Sequence, residues 1–75
     1  MAPLTSFSDG TAIQLAFVGL EAPVAKRLRD LGLREGAHVA IVQNTHNLIV
    51  RVADSRIGLR REMAMQIFGT KAPTV

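Results

Sequence analysis

The chain has 75 residues, no cysteine and a formal net charge of +3. This length allows one domain with one small core, and the lack of cysteine excludes disulfide staples, thiolate metal sites and cysteine nucleophiles. Hydrophobic residues make up 48% of the chain but include only three Phe and no Trp or Tyr, so we expect an aliphatic core without a large substrate cavity.

The first regular element is predicted to be a long strand. Ile13, Leu15 and Phe17 alternate there with smaller or polar residues, and a period of two is the pattern of a strand with one buried face. The first few residues and the segment 70–75 show no such pattern. Both ends are therefore expected to be flexible, which leaves a folded core of about residues 4–69.

A short helix is predicted over about residues 23–31. Pro23 suits the first helical position, where its missing N–H group costs nothing. Val24, Leu28 and Leu31 recur at helical spacing, so they share one face, and charged residues occupy the other faces. The helix is therefore predicted to be amphipathic, with its aliphatic face on the core.

Two glycines are predicted to turn the chain from this helix into the next strand. Gly32 lies where a helix ends in a left-handed residue, and Leu33 beyond it is placed to pack back on Leu28, as in a Schellman motif. Gly36 allows a second sharp turn. From residue 37 to 43 the period falls to two, which predicts a strand with Val39 facing inward.

The rest of the chain is predicted to form strands and one helical turn. Alternation predicts a strand at residues 48–52 and another at 56–60, and a helical turn near 61–66 precedes a short strand at 68–69. The predicted fold is mainly β, a small SH3-like barrel of about five antiparallel strands with the helix inserted after the first long strand. The predicted core comprises Leu28, Leu31, Leu33, Val39, Ile41, Val50, Val52, Leu59, Ala64 and Ile67.

Residues suited to catalysis or metal binding are sparse. The serines and threonines lie in no nucleophile context, and no phosphate-binding glycine loop is present. We therefore expect no enzyme activity and no cofactor. His38, on a strand, and His46, in the following hairpin turn, are the candidate metal ligands, with Asp54 or Glu62 as a third. Two histidines without a third ligand at fixed spacing make a weak site, so the interpretation we favour is that both are exposed polar residues or bind adventitious metal at a crystal or dimer contact.

Arginines are the candidate partner contacts. A surface helix is a natural contact for another protein, and Arg27 lies on it. The net positive charge also allows nonspecific nucleic-acid binding. Nearby acidic residues are expected to pair with part of this charge, and the chain has no aromatic stacking platforms. We therefore expect no specific nucleic-acid partner. The residues predicted to contact a partner are Arg27, Arg29, Arg34, Arg60 and Arg61.

A second apolar face is predicted on the strands of the middle hairpin. Ala40 and Val42 lie opposite the inward-facing residues of their strand, and Ile49 lies opposite those of the next strand. Two apolar faces exceed what one small core requires. Part of the second face is therefore predicted to be an exposed patch for a partner or for a second copy of the chain.

Nothing in the sequence predicts insertion into a membrane. The longest uncharged stretches, residues 10–20 and 36–50, are too short or too interrupted by polar side chains to supply the roughly 20 apolar residues of a spanning helix. The N-terminus does not have the pattern of a signal peptide. We therefore expect a cytoplasmic protein.

The segment 27–36 resembles a motif of the ferrous iron transport protein A (FeoA) family. Members carry a short helix ending in Arg-Leu-x-x-Leu-Gly-Leu, then x-x-Gly and a strand, and this chain reads Arg-Leu-Arg-Asp-Leu-Gly-Leu-Arg-Glu-Gly. The segment 57–67 resembles the family's closing element, and Leu4 and Gly10 fit its opening. The resemblance covers about residues 4–69. The positions that carry it are Leu28, Leu31, Gly32, Leu33, Gly36, Leu59, Ala64 and Ile67.

The resemblance implies an SH3-like accessory protein of bacterial ferrous iron uptake. It would bind the cytosolic region of the membrane permease FeoB and modulate its GTPase-coupled Fe²⁺ transport. The alternative is a free-standing relative of the SH3-like domain of iron-dependent transcriptional repressors. The chain departs from the family in one place: many members have a longer, Gly-Asp-Pro-like loop where only residues 44–47 separate two strands here.

Overall fold

The computed structural model describes residues 1–72. In that part of the chain six strands form one sheet with the order β1-β6-β2-β3-β4-β5, and every pair of neighbours is antiparallel. A 3₁₀ turn, Leu4–Ser6, follows the first strand. The elements are β1 (Ala2–Pro3), β2 (Ala12–Val18), α1 (Ala22–Asp30), β3 (His38–Asn44), β4 (Asn47–Val52), β5 (Ser55–Arg60), α2 (Arg61–Ala64) and β6 (Ile67–Lys71).

The predicted SH3-like, mainly β architecture is confirmed, with one strand more than expected. The additional strand is β1, whose two residues pair with Gly69 and Phe68 of β6. The N-terminus is therefore held to the sheet, where the sequence predicted flexibility. No helix within residues 1–72 is long and apolar enough to cross a membrane.

The end of α1 confirms the predicted Schellman motif. The Leu33 N–H donates to the Leu28 carbonyl at 2.8 Å, and the Gly32 N–H donates to the Arg29 carbonyl at 3.0 Å. Gly32 has a φ of +103° and Gly36 has a φ of +86°, so both predicted turns use the backbone freedom of glycine. The helix ends one residue earlier than predicted, at Asp30.

Leu31 corrects the predicted core, because 51% of it is exposed. It is the C-terminal cap residue of α1, where the helix is already giving way to the Gly32 turn. The chain reverses there, so Leu31 leaves the face of Leu28, and Leu33 fills the core in its place with no exposed surface. The other nine predicted core residues are buried.

A bulge in β2 changes which side chains face inward. The pairing of β2 with β6 shifts between Leu15 and Phe17, so strict alternation stops there. Val18 is buried instead of Phe17, which is 51% exposed. Phe17 packs beside Phe68 with 6.2 Å between ring centroids.

The last two elements also differ from their predicted lengths. The helical turn α2 ends at Ala64 and not near residue 66. Strand β6 continues through Thr70 and Lys71, which pair with β2, so these residues do not belong to a flexible tail. Ala72 also belongs to the predicted tail, and its N–H donates to the Ala12 carbonyl at 2.8 Å. The remaining tail residues, 73–75, lie outside the described residues.

The core lies between the inner face of the sheet and the two helices. Within the described residues, no polar or charged residue is buried. Several buried positions were not in the predicted core, and they come from the 3₁₀ turn, β2, α1 and β4. These are Leu4, Ile13, Leu15, Val18, Ala25 and Leu48.

Candidate partner-binding surface

An open groove of about 340 Å³ lies between α1 and α2. Pro23, Val24, Arg27 and Leu28 line it from α1, and Met63 lines it from α2. Leu28 is buried, Val24 and Met63 are half-buried, and Arg27 is exposed. The groove therefore offers an apolar surface with one guanidinium group beside it. We call these five residues the helix groove.

The helix groove follows from the helical spacing of α1. Residues 23, 24, 27 and 28 lie on one side of the helix because their spacings of three and four residues return to the same face. Met63 packs partly against the core. The sequence did not predict the groove itself, because no pattern in it indicates that α2 lies beside the start of α1.

The five arginines predicted as partner contacts do not form one cluster. Arg27 alone among them lines the helix groove. Arg34 is exposed in the turn between α1 and β3, and Arg60 is exposed at the start of α2. Arg29 and Arg61 make hydrogen bonds within the chain.

Arg29 is paired with Glu35 across the turn that follows α1. Its Nε and Nη2 donate to the two carboxylate oxygens of Glu35 at 3.4 and 3.3 Å. The hydrogen bond from Arg29 is the main cause that holds the pKa of the Glu35 carboxyl below its ordinary value of 4.5. Arg29 therefore has an intramolecular partner and a role in fastening the turn.

Arg61 holds the β3–β4 hairpin. Its Nη1 donates to the side-chain oxygen of Asn44 at 2.7 Å and to the carbonyl of Thr45 at 2.8 Å. The Asn44 Nδ2 in turn donates to the carbonyls of Thr5 and Phe7 at 3.0 and 2.7 Å. Asn44 thus joins three segments that are far apart in sequence, and no sequence pattern distinguished it from an ordinary turn residue.

The two candidate metal ligands do not meet. His38 is the first residue of β3, and His46 lies in the turn beyond its last residue, so the length of the strand, roughly 20 Å, separates them. In residues 1–72 no group of three or more His, Asp or Glu side chains is arranged to hold a metal ion. The two histidines are therefore too far apart to share one metal ion, and both side chains are exposed.

The sequence and the fold both have known relatives. The profile of the FeoA domain matches residues 2–71. No curated protein sequence matches the chain. The solution structure of the FeoA protein from Chlorobium tepidum superposes with a TM-score of 0.88 and 24% identity, covering 95% of this chain and 70% of that one.

Two further solved structures show the same fold. A crystal structure of an iron uptake regulatory protein (FeoA) has a TM-score of 0.83 and 18% identity, and the match covers 95% of this chain and 96% of that one. The T. acidophilum IdeR structure has a TM-score of 0.84 and 21% identity, with 95% of this chain but only 34% of that one covered. With a family match that spans residues 2–71, the chain belongs to the FeoA family.

Proposed function

We propose that this protein is a cytoplasmic accessory protein of ferrous iron uptake that binds the cytosolic region of the FeoB permease and modulates its GTPase-coupled Fe²⁺ transport. The supporting observation is the helix groove, an open apolar surface on a chain of the FeoA family. The protein acts by binding and performs no reaction of its own.

The helix groove suits a short apolar anchor on a partner protein. Its volume of about 340 Å³ is at the small end of the range for ligand sites, enough for one or two side chains. Val24 and Met63 supply the apolar contact, and Arg27 supplies a charge at the side. A partner segment with an aliphatic or aromatic anchor next to a carboxylate matches this surface.

A binding protein regulates a transporter only if it distinguishes two of its states. A ligand with equal affinity for both states leaves the equilibrium between them unchanged. The proposal therefore requires different affinities for the GDP-bound and GTP-bound forms of the permease domain. The ratio of these affinities sets how far the protein shifts the nucleotide cycle.

A titration with charge-reversal variants tests the proposed groove. The chain is titrated calorimetrically against the cytosolic GTP-binding domain of the permease. Arg27→Glu is expected to weaken binding about tenfold or more, because it opposes a carboxylate with another. Arg34→Glu is the matched control, since Arg34 is also exposed but lies outside the groove. Equal loss in both variants contradicts a role for the groove.

The repressor-related function is the second candidate, and the similarity to IdeR supports it. The structures of ScaR with bound Zn²⁺ and of the metal-dependent transcriptional regulator MtsR also superpose, with TM-scores of 0.83 and 0.81. This candidate predicts a metal response in the isolated chain. Zn²⁺ titration followed by NMR checks it: saturable shifts at His38 or His46 support it, and unchanged spectra count against it.

A further inference from the structure

The outer face of the β4–β5 hairpin carries a group of arginines that the proposed function does not use. Arg51, Arg56 and Arg60 are all exposed there, with the half-buried Ile49 and the exposed Gly58 between them. Alternation along the strands places the four side chains, and the bare Cα of Gly58, on the face away from the core. We call these five residues the basic face.

Two of these arginines are forced close together by the hairpin. Arg51 and Arg56 are direct cross-strand partners, and the pair Val52 and Ser55 beside them is joined by a two-residue turn. A two-residue turn makes its flanking pair the hydrogen-bonded one, so the next pair is non-hydrogen-bonded, with Cα atoms about 4.5 Å apart. Like charges directly opposite one another destabilise a sheet, so this pair opposes folding.

No acidic side chain of the described residues forms an ion pair with the basic face. The ion pair found in residues 1–72 joins Arg29 to Glu35, in the turn after α1. Asp54 lies in the turn of the same hairpin but makes no ion pair within 4.0 Å, and Asp9 accepts a hydrogen bond from the Asn44 N–H. The arginines of the basic face are thus free to bind an anion.

The surface between the arginines is open enough for a polypeptide to lie on it. A Cβ atom built at Gly58 would meet nothing within 4 Å, so a backbone is able to approach closely there. Beside Arg51 the face continues into a shallow cavity of about 240 Å³, which Ala12, His38 and Ala40 also line. Three alanines, two of them Ala12 and Ala40, line this cavity together with Arg51 and His38, so most of its lining side chains are small.

We propose that the basic face binds an extended acidic segment of a partner protein. Arg56 and Arg60 are four residues apart on one strand, about 13 Å, which is the distance between carboxylates at positions i and i+4 of an extended chain. A third carboxylate of the bound segment bridges Arg51 and Arg56 and removes the repulsion between them. The inference does not depend on whether that partner is FeoB.

Other occupants fit this face less well. A second copy of the chain would bring the same three arginines against the first, which places like charges together. A single-stranded nucleic acid needs aromatic platforms as well as cations, and the basic face contains none, since Phe17 and Phe68 pair with each other on β2 and β6. An acidic peptide segment needs only the charges and the open surface.

An NMR titration of the full chain tests the proposal at low ionic strength, about 20 mM salt, where charge pairs are least screened. The probe is a heptapeptide in which glutamate alternates with threonine, and the control peptide has lysine in place of glutamate. We expect saturable amide shifts confined to β4, β5 and His38 with the acidic peptide, and no shifts with the basic one. Absence of shifts with the acidic peptide overturns the proposal.

Paired variants separate this face from general charge attraction. Arg56→Ser is expected to weaken peptide binding about tenfold, while raising the melting temperature by about 2 °C because the opposed pair is removed. Arg34→Ser removes the same charge elsewhere and is expected to leave binding unchanged. Equal weakening by both variants, or tighter binding of a 12-nucleotide oligothymidine than of the acidic peptide, contradicts the proposal.

Discussion

The Arg61 guanidinium donates to the side-chain oxygen of Asn44 at 2.7 Å, and this bond joins α2 to the β3–β4 hairpin. The Asn44 side-chain amide donates to the carbonyls of Thr5 and Phe7, so this one side chain connects the 3₁₀ turn, the hairpin and α2. Arg61 was predicted as a partner contact. Its hydrogen bonds give it a structural role, and they hold in place the helical turn that carries Met63.

Removing the Asn44 side chain is expected to lower the free energy of unfolding by about 1–3 kcal/mol, because Asn44→Ala leaves the two carbonyls without their side-chain donor and removes one of the two acceptors of the Arg61 guanidinium. Urea denaturation measures the change. Thr45→Ala is the control in the same turn, since Thr45 is exposed and its hydroxyl bonds only locally. Equal effects of the two variants contradict a connecting role for Asn44.

Leu28 and Leu31 are expected to respond very differently to truncation. Leu28 is 4% exposed and Leu31 is 51% exposed. Leu28→Ala is expected to lower the free energy of unfolding by about 2–5 kcal/mol, because it leaves a cavity in the core. Leu31→Ala is expected to change it by less than about 1 kcal/mol. The denaturant midpoints of the two variants measure these changes. Similar losses of stability in both variants would mean that Leu31 is packed against the core.

Two glycines of the sheet form a second contrasting pair. A Cβ at Gly69 would lie 2.5 Å from the Ile13 methyl and 2.8 Å from the Gln14 carbonyl oxygen, whereas a Cβ at Gly58 meets nothing. Gly69→Ala is expected to destabilise the fold by about 1–3 kcal/mol through overpacking. Gly58→Ala is expected to change stability little or raise it by up to about 1 kcal/mol. Thermal unfolding distinguishes them, and equal tolerance at both positions contradicts the close packing of β2 on β6.

In the turn between β4 and β5, replacing one residue with glycine is expected to stabilise the fold. Ala53 has a φ of +53°, where a side chain is disfavoured. Ala53→Gly is expected to raise the free energy of unfolding by about 0.5–1 kcal/mol. The substitution removes the penalty of a positive φ, and part of this gain is offset because glycine gives the unfolded chain more conformational freedom. Ala16→Gly, at an exposed strand position, is expected to lower it. A loss of stability in both variants contradicts the strained turn.

The Arg29–Glu35 pair predicts a direction of pH dependence. The folded-state pKa of Glu35 lies below its ordinary value of 4.5, so the folded chain binds this proton less readily than the unfolded chain. The stabilisation is present above that ordinary value and is lost as the pH falls through the folded pKa. NMR titration of the Glu35 carboxyl is expected to show the low pKa, and Arg29→Ala is expected to return it toward 4.5. An unchanged pKa in Arg29→Ala contradicts the pairing.

Local sequence signals predicted most of the fold. Helical spacing, the Gly32 stop and the alternation in β3, β4 and β5 each depend on neighbours within a few residues, and the structure confirms them. Phe17 and Leu31 were misplaced, because a bulge in one strand and the last residue of a helix break the periods on which both predictions depended. The strand β1 has two residues, too few to show any period.

The candidate surfaces were harder to predict, because each depends on contacts between distant segments. The sequence indicated Arg27 as exposed on a helix, but the helix groove exists only because Met63 lies beside it. The pairing of Arg51 with Arg56 follows from the register of one hairpin. Arg61 was predicted as a partner contact because nothing in its neighbourhood in the sequence shows that Asn44 is near. The predicted separation of the two middle strands by residues 44–47 was too long, because Asn44 is the last residue of β3 and Asn47 is the first residue of β4. The sequence also did not predict the bond between Arg61 and Asn44.

The most direct test of the proposed function is calorimetric titration of the full chain into the cytosolic GTP-binding domain of the FeoB permease, once with GDP and once with a nonhydrolysable GTP analogue. We predict binding in both series with dissociation constants that differ by at least about tenfold, the margin at which one nucleotide state is clearly favoured. Equal affinity in the two states, or no binding in either, would contradict a regulator that acts on that domain.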